Sequence, residues 1–159
     1  MRNAPTLATQ RLVLRPAAWA DVPFLVRLTG DPSVRAYLGG VQPFRARVLQ
    51  ALRTGTGFWI VCTVPGAQRI GLMSLTPHKD GLDTELSYQM VPAQWGQGFA
   101  TEAAQALVQY GLADLGLPRI IAETQSANAR SWGMLQRVGF VELRRLHRFG
   151  AEQIILTRS

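Results

Sequence analysis

Along the chain the spacing of apolar positions changes several times, and each change predicts an element. Leu12, Val13 and Leu14, held between Arg11 and Arg15, predict a short first strand that Pro16 stops. From Trp19 to Leu28 the apolar residues Val22, Leu25, Val26 and Leu28 fit a helix better than a strand. Asp31-Pro32 places a capping carboxylate before a proline at a first helical position, predicting a short helix that ends at Gly39-Gly40. Pro43 to Leu52 predicts another helical piece, with Val48, Leu49 and Leu52 as its buried side.

The pattern then becomes β-rich. Phe58 to Val64, Arg69 to Leu75 and Thr84 to Val91 are three runs joined by the turns at Pro65-Gly66 and His78 to Leu82, which predicts an antiparallel meander. After Pro92 a glycine-containing loop opens into a long helix reaching about Leu115. Its positions Ala100, Ala103, Ala104, Leu107, Val108, Gly111 and Leu115 follow three-four spacing, and the small residues suit close approach to a sheet. Ile120 to Thr124 predicts a buried strand, Asn128 to Val138 a helix closed by Gly139, and Val141 to Phe149 with Gln153 to Thr157 a final hairpin. The order predicts an α/β (α+β) fold: a mixed, mostly antiparallel sheet flanked by helices, as one domain over residues 1–159.

Composition narrows the class. An apolar share of 47% with 17% charged residues excludes a disordered or collagen-like chain. A lone cysteine, Cys62, excludes an internal disulfide and a cysteine-built metal site, and it reads as buried and inert. No apolar run is long enough for a membrane helix, and Met1 to Gln10 lacks the core of a signal peptide, so a cytoplasmic protein is expected, without a membrane partner. The net charge of +7 comes almost wholly from arginine, since Lys79 is the one lysine. Such a balance suits anionic partners, either nucleic acid or a phosphorylated cofactor, and does not choose between them.

The segment from Thr84 to Ala104 carries the chemistry. A strand runs into a tight loop with Gly96 and Gly98, and the loop opens directly into a helix. Free N–H groups and the positive end of the helix dipole make this an anion site, unless the glycines serve only the turn. No GxxxxGK[ST] is present, and Thr101 stands where a dinucleotide fingerprint needs Gly or Ala. With two distant histidines, His78 and His147, and no HExxH, no metal site is expected. Trp59, Tyr88 and Trp132 are core aromatics or cleft-lining ones, Arg130 and Arg137 face phosphates or water, and Glu102 complements the helix dipole. Arg144, Arg145 and Arg148 form a basic cluster for an acidic partner or RNA.

The loop Trp95-Gly96-Gln97-Gly98-Phe99-Ala100 resembles the acyl-CoA motif Q/R-x-x-G-x-G/A of the Gcn5-related N-acetyltransferases (GNAT). Trp95 departs from the usual Gln or Arg. That departure and residues 98–103, with the stretches 9–16, 123–131 and 138–140, are similar to the branch acting on ribosomal-protein N-termini, the RimJ/RimL type. The resemblance spans nearly the whole chain and implies acetyl-CoA as acetyl donor and direct transfer to a primary amine. Main-chain N–H groups from Gln97 to Thr101 would hold the pyrophosphate. Met90 and Val91 would pair with the pantetheine arm and polarise the thioester, and Asn128 and Ser131 would contact the CoA arm.

Many relatives place a tyrosine on the last helix as acid for the departing thiolate. Here that position is Leu135, and Ser131 is the substitute; Glu85 is the base, directly or through water. The implied acceptor is a protein N-terminal α-amine, of a ribosomal protein, or alternatively a small amine such as an amino acid or peptide antibiotic. A catalytically silent acyl-CoA-binding module is the competing class. No specific nucleic-acid site is expected, and the chain is expected to be a monomer or a homodimer.

Overall fold

The computed structural model describes residues 4–38, 46, 48, 49, 52, 53 and 57–159. The strands are β1 (Leu7–Ala8), β2 (Leu12–Pro16), β3 (Phe58–Thr63), β4 (Arg69–Pro77), β5 (Thr84–Met90), β6 (Ile120–Gln125), β7 (Val141–Arg148) and β8 (Ala151–Arg158). They form one sheet in the order β1-β2-β3-β4-β5-β6-β8-β7. Every neighbouring pair is antiparallel except β5 with β6. The described helices include α1 (Val22–Gly30), α2 (Pro32–Arg35), α3 (Phe99–Gln109) and α4 (Ala129–Arg137). None among the described residues is long and apolar enough to cross a membrane.

Two apolar clusters, one on each sheet face, fix where the helices lie. Phe24, Leu25 and Leu28 of α1 pack on Phe58, Ile60, Cys62 and Leu72. On the other face Ala103, Ala104 and Leu107 of α3 and Met134 and Leu135 of α4 meet Leu12, Leu14, Met73, Leu86 and Ile120. Alternation along β5 divides its side chains accordingly, with Leu86, Tyr88 and Met90 toward α3 and α4 and Glu85, Ser87 and Gln89 toward α1.

Several expectations change in detail. Pro16 lies inside β2 because the strand continues to pair with Trp59. Val26 and Leu115 are exposed, while Phe24 takes the buried place on α1. The helix predicted to end at Leu115 stops as α-helix at Gln109 and continues as a π-helical turn over Tyr110–Asp114. Asp31 caps α2 as expected, accepting from Ser33 and Val34 N–H at 2.8 and 3.2 Å. The glycines at 39–40 and most of the helix expected over Pro43 to Leu52 lie outside the described residues; within it, Val48 and Leu52 are buried and Leu49 is exposed.

Candidate active site

β5 and β6 pair only through Thr84↔Ile120 and Glu85↔Ile121; beyond Glu85 they part, and a cleft of about 770 Å³ opens between them. It is lined on one side by Ser33, Val34 and Tyr37 around α2, and on the other by Asn128, Ser131 and Met134 of the α4 segment. Glu85 sits at the apex of the fork, and Tyr88, Met90 and Trp95 follow along the wall.

The Val91 N–H donates to the Ile70 carbonyl at 2.8 Å. Antiparallel alternation therefore turns the main-chain groups of Gln89 and Ser87 toward β4 and those of Tyr88 and Met90 toward the open edge. Of the two residues expected to pair with an added strand, Met90 has its main chain facing the cleft, whereas the Val91 N–H is committed. The Met90 carbonyl already accepts from Trp95 Nε1 at 3.0 Å.

The loop after β5 is shaped by Gly96 and Gly98, whose φ values of +76° and +78° are left-handed. A Cβ at Gly96 would meet nothing within 4 Å, so its glycine answers the backbone conformation. The first α3 bond is Glu102 N–H to Gly98 carbonyl at 3.0 Å. The N–H groups of Phe99, Ala100 and Thr101 thus precede the helical ladder at its positive end. Arg11 clamps this turn. Its guanidinium donates to the Gln97 carbonyl at 3.0 Å and to Glu102 at 2.7 Å, and lies 4.5 Å from the Phe99 ring centre. Burial pushes the Glu102 carboxyl up, but hydrogen bonds from Thr9 and Arg11 outweigh it and hold it below the usual range.

Trp95 has a cationic partner. The Arg130 guanidinium from α4 lies 4.0 Å from its ring centre. The cation that the motif's first position lacks is therefore supplied by another element, beside the anion-facing loop. Arg130→Ala is expected to weaken acetyl-CoA binding about tenfold by calorimetry with kcat little changed; unchanged affinity would make the stack purely structural.

Asn128 Oδ1 accepts the Ser131 N–H at 3.2 Å, so Asn128 is a helix cap that also lines the cleft. Ser131 Oγ is in hydrogen-bond contact with the Tyr88 hydroxyl. Burial pushes the Tyr88 phenol up to about 12, against the lowering effect of Ser131, so it stays protonated. Tyrosine is absent at Leu135, which is fully buried, yet a tyrosine hydroxyl reaches the same helix from β5.

His78 is the residue that sequence reasoning missed. It is 3% exposed, and one of its ring nitrogens, a Glu85 oxygen and a Glu123 oxygen lie within 4.8 Å of one another. Glu123 is already surrounded, by Arg148 Nε at 2.7 Å, Lys79 at 3.0 Å and His78 Nε2 at 3.0 Å. A dication here would face two fixed positive charges. The basic cluster is likewise consumed within the chain. Arg144 pairs with Asp80, Arg145 with Glu142 and Glu152, and Arg148 with Glu123 and Asp80. Trp59 is a core residue, 2% exposed, donating to the Pro5 carbonyl at 2.8 Å.

Comparison with known proteins places this geometry. Residues 11–141 match the acetyltransferase (GNAT) domain model. The chain belongs to the GNAT acetyltransferase family. Among curated relatives, an FsC-acetyl coenzyme A-N(2)-transacetylase of Aspergillus fumigatus is 28% identical, covering 90% of this chain and 68% of its own. An N-acetyltransferase p20 of Bacillus licheniformis is 30% identical, covering 85% and 82%. A GNAT acetyltransferase structure from Bacillus anthracis superposes with a TM-score of 0.83 at 21% identity, covering 97% and 98%. Structures sharing the fold also include a ribosomal-protein-S5-alanine acetyltransferase of Vibrio fischeri, with a TM-score of 0.76, 14% identity and coverage of 98% and 96%. A spermidine N-acetyltransferase of Vibrio cholerae, in complex with CoA and spermine, has a TM-score of 0.79, 18% identity and coverage of 94% and 96%. This GNAT chain is an acetyl-CoA N-acetyltransferase. Its open Met90 edge, unladdered α3 N–H groups and stacked Arg130 fit a thioester on a long polar arm ending in phosphates.

Proposed function

We propose that this GNAT enzyme moves the acetyl group of acetyl-CoA directly to a single primary amine, in the RimJ/RimL manner a protein N-terminal α-amine, in the cytoplasm. The fork between β5 and β6 supports this best, because it joins an anion-facing loop to a carboxylate through one continuous cleft. Gln97 to Thr101 hold the pyrophosphate through main-chain N–H groups. Met90 aligns the pantetheine arm, and Asn128 borders it.

Glu85 takes the amine's proton as nitrogen attacks the thioester carbon. Ser131, with the Tyr88 hydroxyl donating into it, supplies a proton to the sulfur as the C–S bond breaks. Since a thiol's ordinary pKa is near 8.5, this second transfer is the less demanding one.

The charge around Glu85 disfavours a polyamine. Glu123 is neutralised by Arg148 and Lys79, and Asp80 by Arg144 and Arg148, so a polycation would meet fixed positive charge beside the base. An α-amine, ordinarily near pKa 8, also asks less of a carboxylate base than a lysine near 10.4.

The test is thiol release from acetyl-CoA with alanine- and serine-starting peptides, lysine peptides, spermidine and free amino acids, alongside CoA calorimetry. Turnover confined to α-amine peptides is expected. Turnover on spermidine or free amino acids alone would move the enzyme to small amines. Tight CoA binding with no turnover would favour a silent acyl-CoA-binding module.

A further inference from the structure

At the apex of the fork the mechanism above leaves one buried titratable side chain unused. His78 follows directly on β4, in the turn between β4 and β5, and both its ring nitrogens are doubly provided for. Nε2 lies 3.0 Å from the Glu123 carboxylate and 3.2 Å from an Arg148 guanidinium nitrogen. Nδ1 lies 3.3 Å from the Asp80 carboxylate and 3.3 Å from the Asp80 main-chain N–H.

Each nitrogen therefore has an acceptor for its proton and a donor for its lone pair. With the proton on Nδ1, Asp80 accepts it and Arg148 satisfies Nε2. With the proton on Nε2, Glu123 accepts it and the Asp80 N–H satisfies Nδ1. A histidine held for structure alone needs one tautomer, whereas one that passes protons through its ring needs both. The surroundings also suit the transient imidazolium, since both of its N–H groups would face carboxylates. The groups facing the ring are Lys79 and Asp80 from its own turn, Glu85 from β5, Glu123 from β6 and Arg148 from β7.

We infer that His78 is a proton-relay residue positioned behind Glu85, carrying the acceptor amine's proton from the cleft to Asp80 and water. The inference rests on Glu85 being the base. As the N–C bond forms and the C–S bond breaks, the amine proton goes to Glu85 and from there to the bare Nε2 of His78. The imidazolium gives its Nδ1 proton to the Asp80 carboxylate, which is about one-third exposed, 32%, and so hands it to water. The ring is left as its other tautomer and resets by exchange with solvent.

The test substitutes His78→Gln, which keeps an amide donor for Glu123 but cannot carry a proton through. With acetyl-CoA and an α-amine peptide, kcat is expected to fall roughly 10- to 100-fold, with the KM for both substrates within about twofold of wild type. Glu85→Gln with His78→Gln should be no slower than Glu85→Gln alone, because one relay can be broken only once. Multiplying defects, or a full kcat in His78→Gln beside a crippled Glu85→Gln, would overturn the relay and leave Glu85 as base. A full kcat in Glu85→Gln would overturn both. Long-range 1H–15N NMR of the wild-type ring needs no acceptor and gives an independent answer. Ring nitrogen shifts averaged between the two tautomers are expected, and one locked tautomer would overturn the relay.

Discussion

Glu85→Gln is expected to lower kcat by about 10²- to 10⁴-fold at neutral pH while leaving the affinity for acetyl-CoA unchanged. The separation follows from where Glu85 stands. It occupies the last paired position of β5 with β6, on the sheet face shared with Ser87 and Gln89, whereas the loop at 95–101 lies past the other end of the same strand. Glutamine preserves volume and hydrogen bonding, so the fork should still close at Ile121. What disappears is a site for the proton released as the amine becomes an amide. The deficit should shrink as pH rises above the amine's own pKa, ordinarily near 8 for an α-amine, because the acceptor then arrives neutral. Steady-state rates from pH 6 to 9.5 with CoA calorimetry on the same variant decide the matter. Undiminished turnover would dismiss Glu85 as base, and a parallel loss of CoA binding would make it a structural pin of the fork.

Periodicity made most of this architecture legible. The α3 stripe of Ala103, Ala104 and Leu107 is buried because small residues at three-four spacing let a helix lie close on a sheet. The meander followed from β-rich runs and short turns. Side-chain function across the fold was less legible, because it depends on pairs far apart in sequence. His78 reads as a turn residue until β6 brings Glu123 and β7 brings Arg148 against it, separations of 45 and 70 positions. A buried turn histidine leaves no periodic trace, and the one local hint is the His78-Lys79-Asp80 run of mixed charge. Arg144, Arg145 and Arg148 misled for the same reason, since a one-dimensional count of charge cannot see that each meets a carboxylate within the fold. Leu135 correctly signalled a missing tyrosine, but only the fold shows Tyr88 arriving from β5 to meet Ser131.

Asp21→Asn is expected to cost about 2 to 4 kcal/mol of stability at pH 7 and to flatten the loss of stability in acid. Asp21 is fully buried just before α1. It accepts from Arg15 of β2 at 2.7 and 2.8 Å, from Arg69 of β4 at 2.7 Å and from the Ala18 N–H at 2.9 Å. Burial pushes its carboxyl up, but these hydrogen bonds prevail and hold it at about 2 rather than 3.8. A depressed carboxylate contributes stability that is complete above its unfolded value and is lost as pH falls through its folded one. The window here is therefore pH 4 down to 2, and the contribution is about 2.5 kcal/mol. Glu123, held at about 2 from 4.5 against its burial by Arg148, His78 and Lys79, adds a similar loss in nearly the same window. Urea unfolding at a series of pH values should thus give a shallower acid limb for Asp21→Asn than for wild type, though not a flat one. Parallel curves would mean the pairing is not what depresses Asp21. The variant should also separate the two halves of the cleft. Asp21 ties the start of α1, and through it the α2 wall, to the sheet, whereas the loop at 95–101 is held by Arg11 and Glu102. A raised KM for the amine with unaltered affinity for acetyl-CoA is the expected signature, because only the acceptor's wall has lost its anchor.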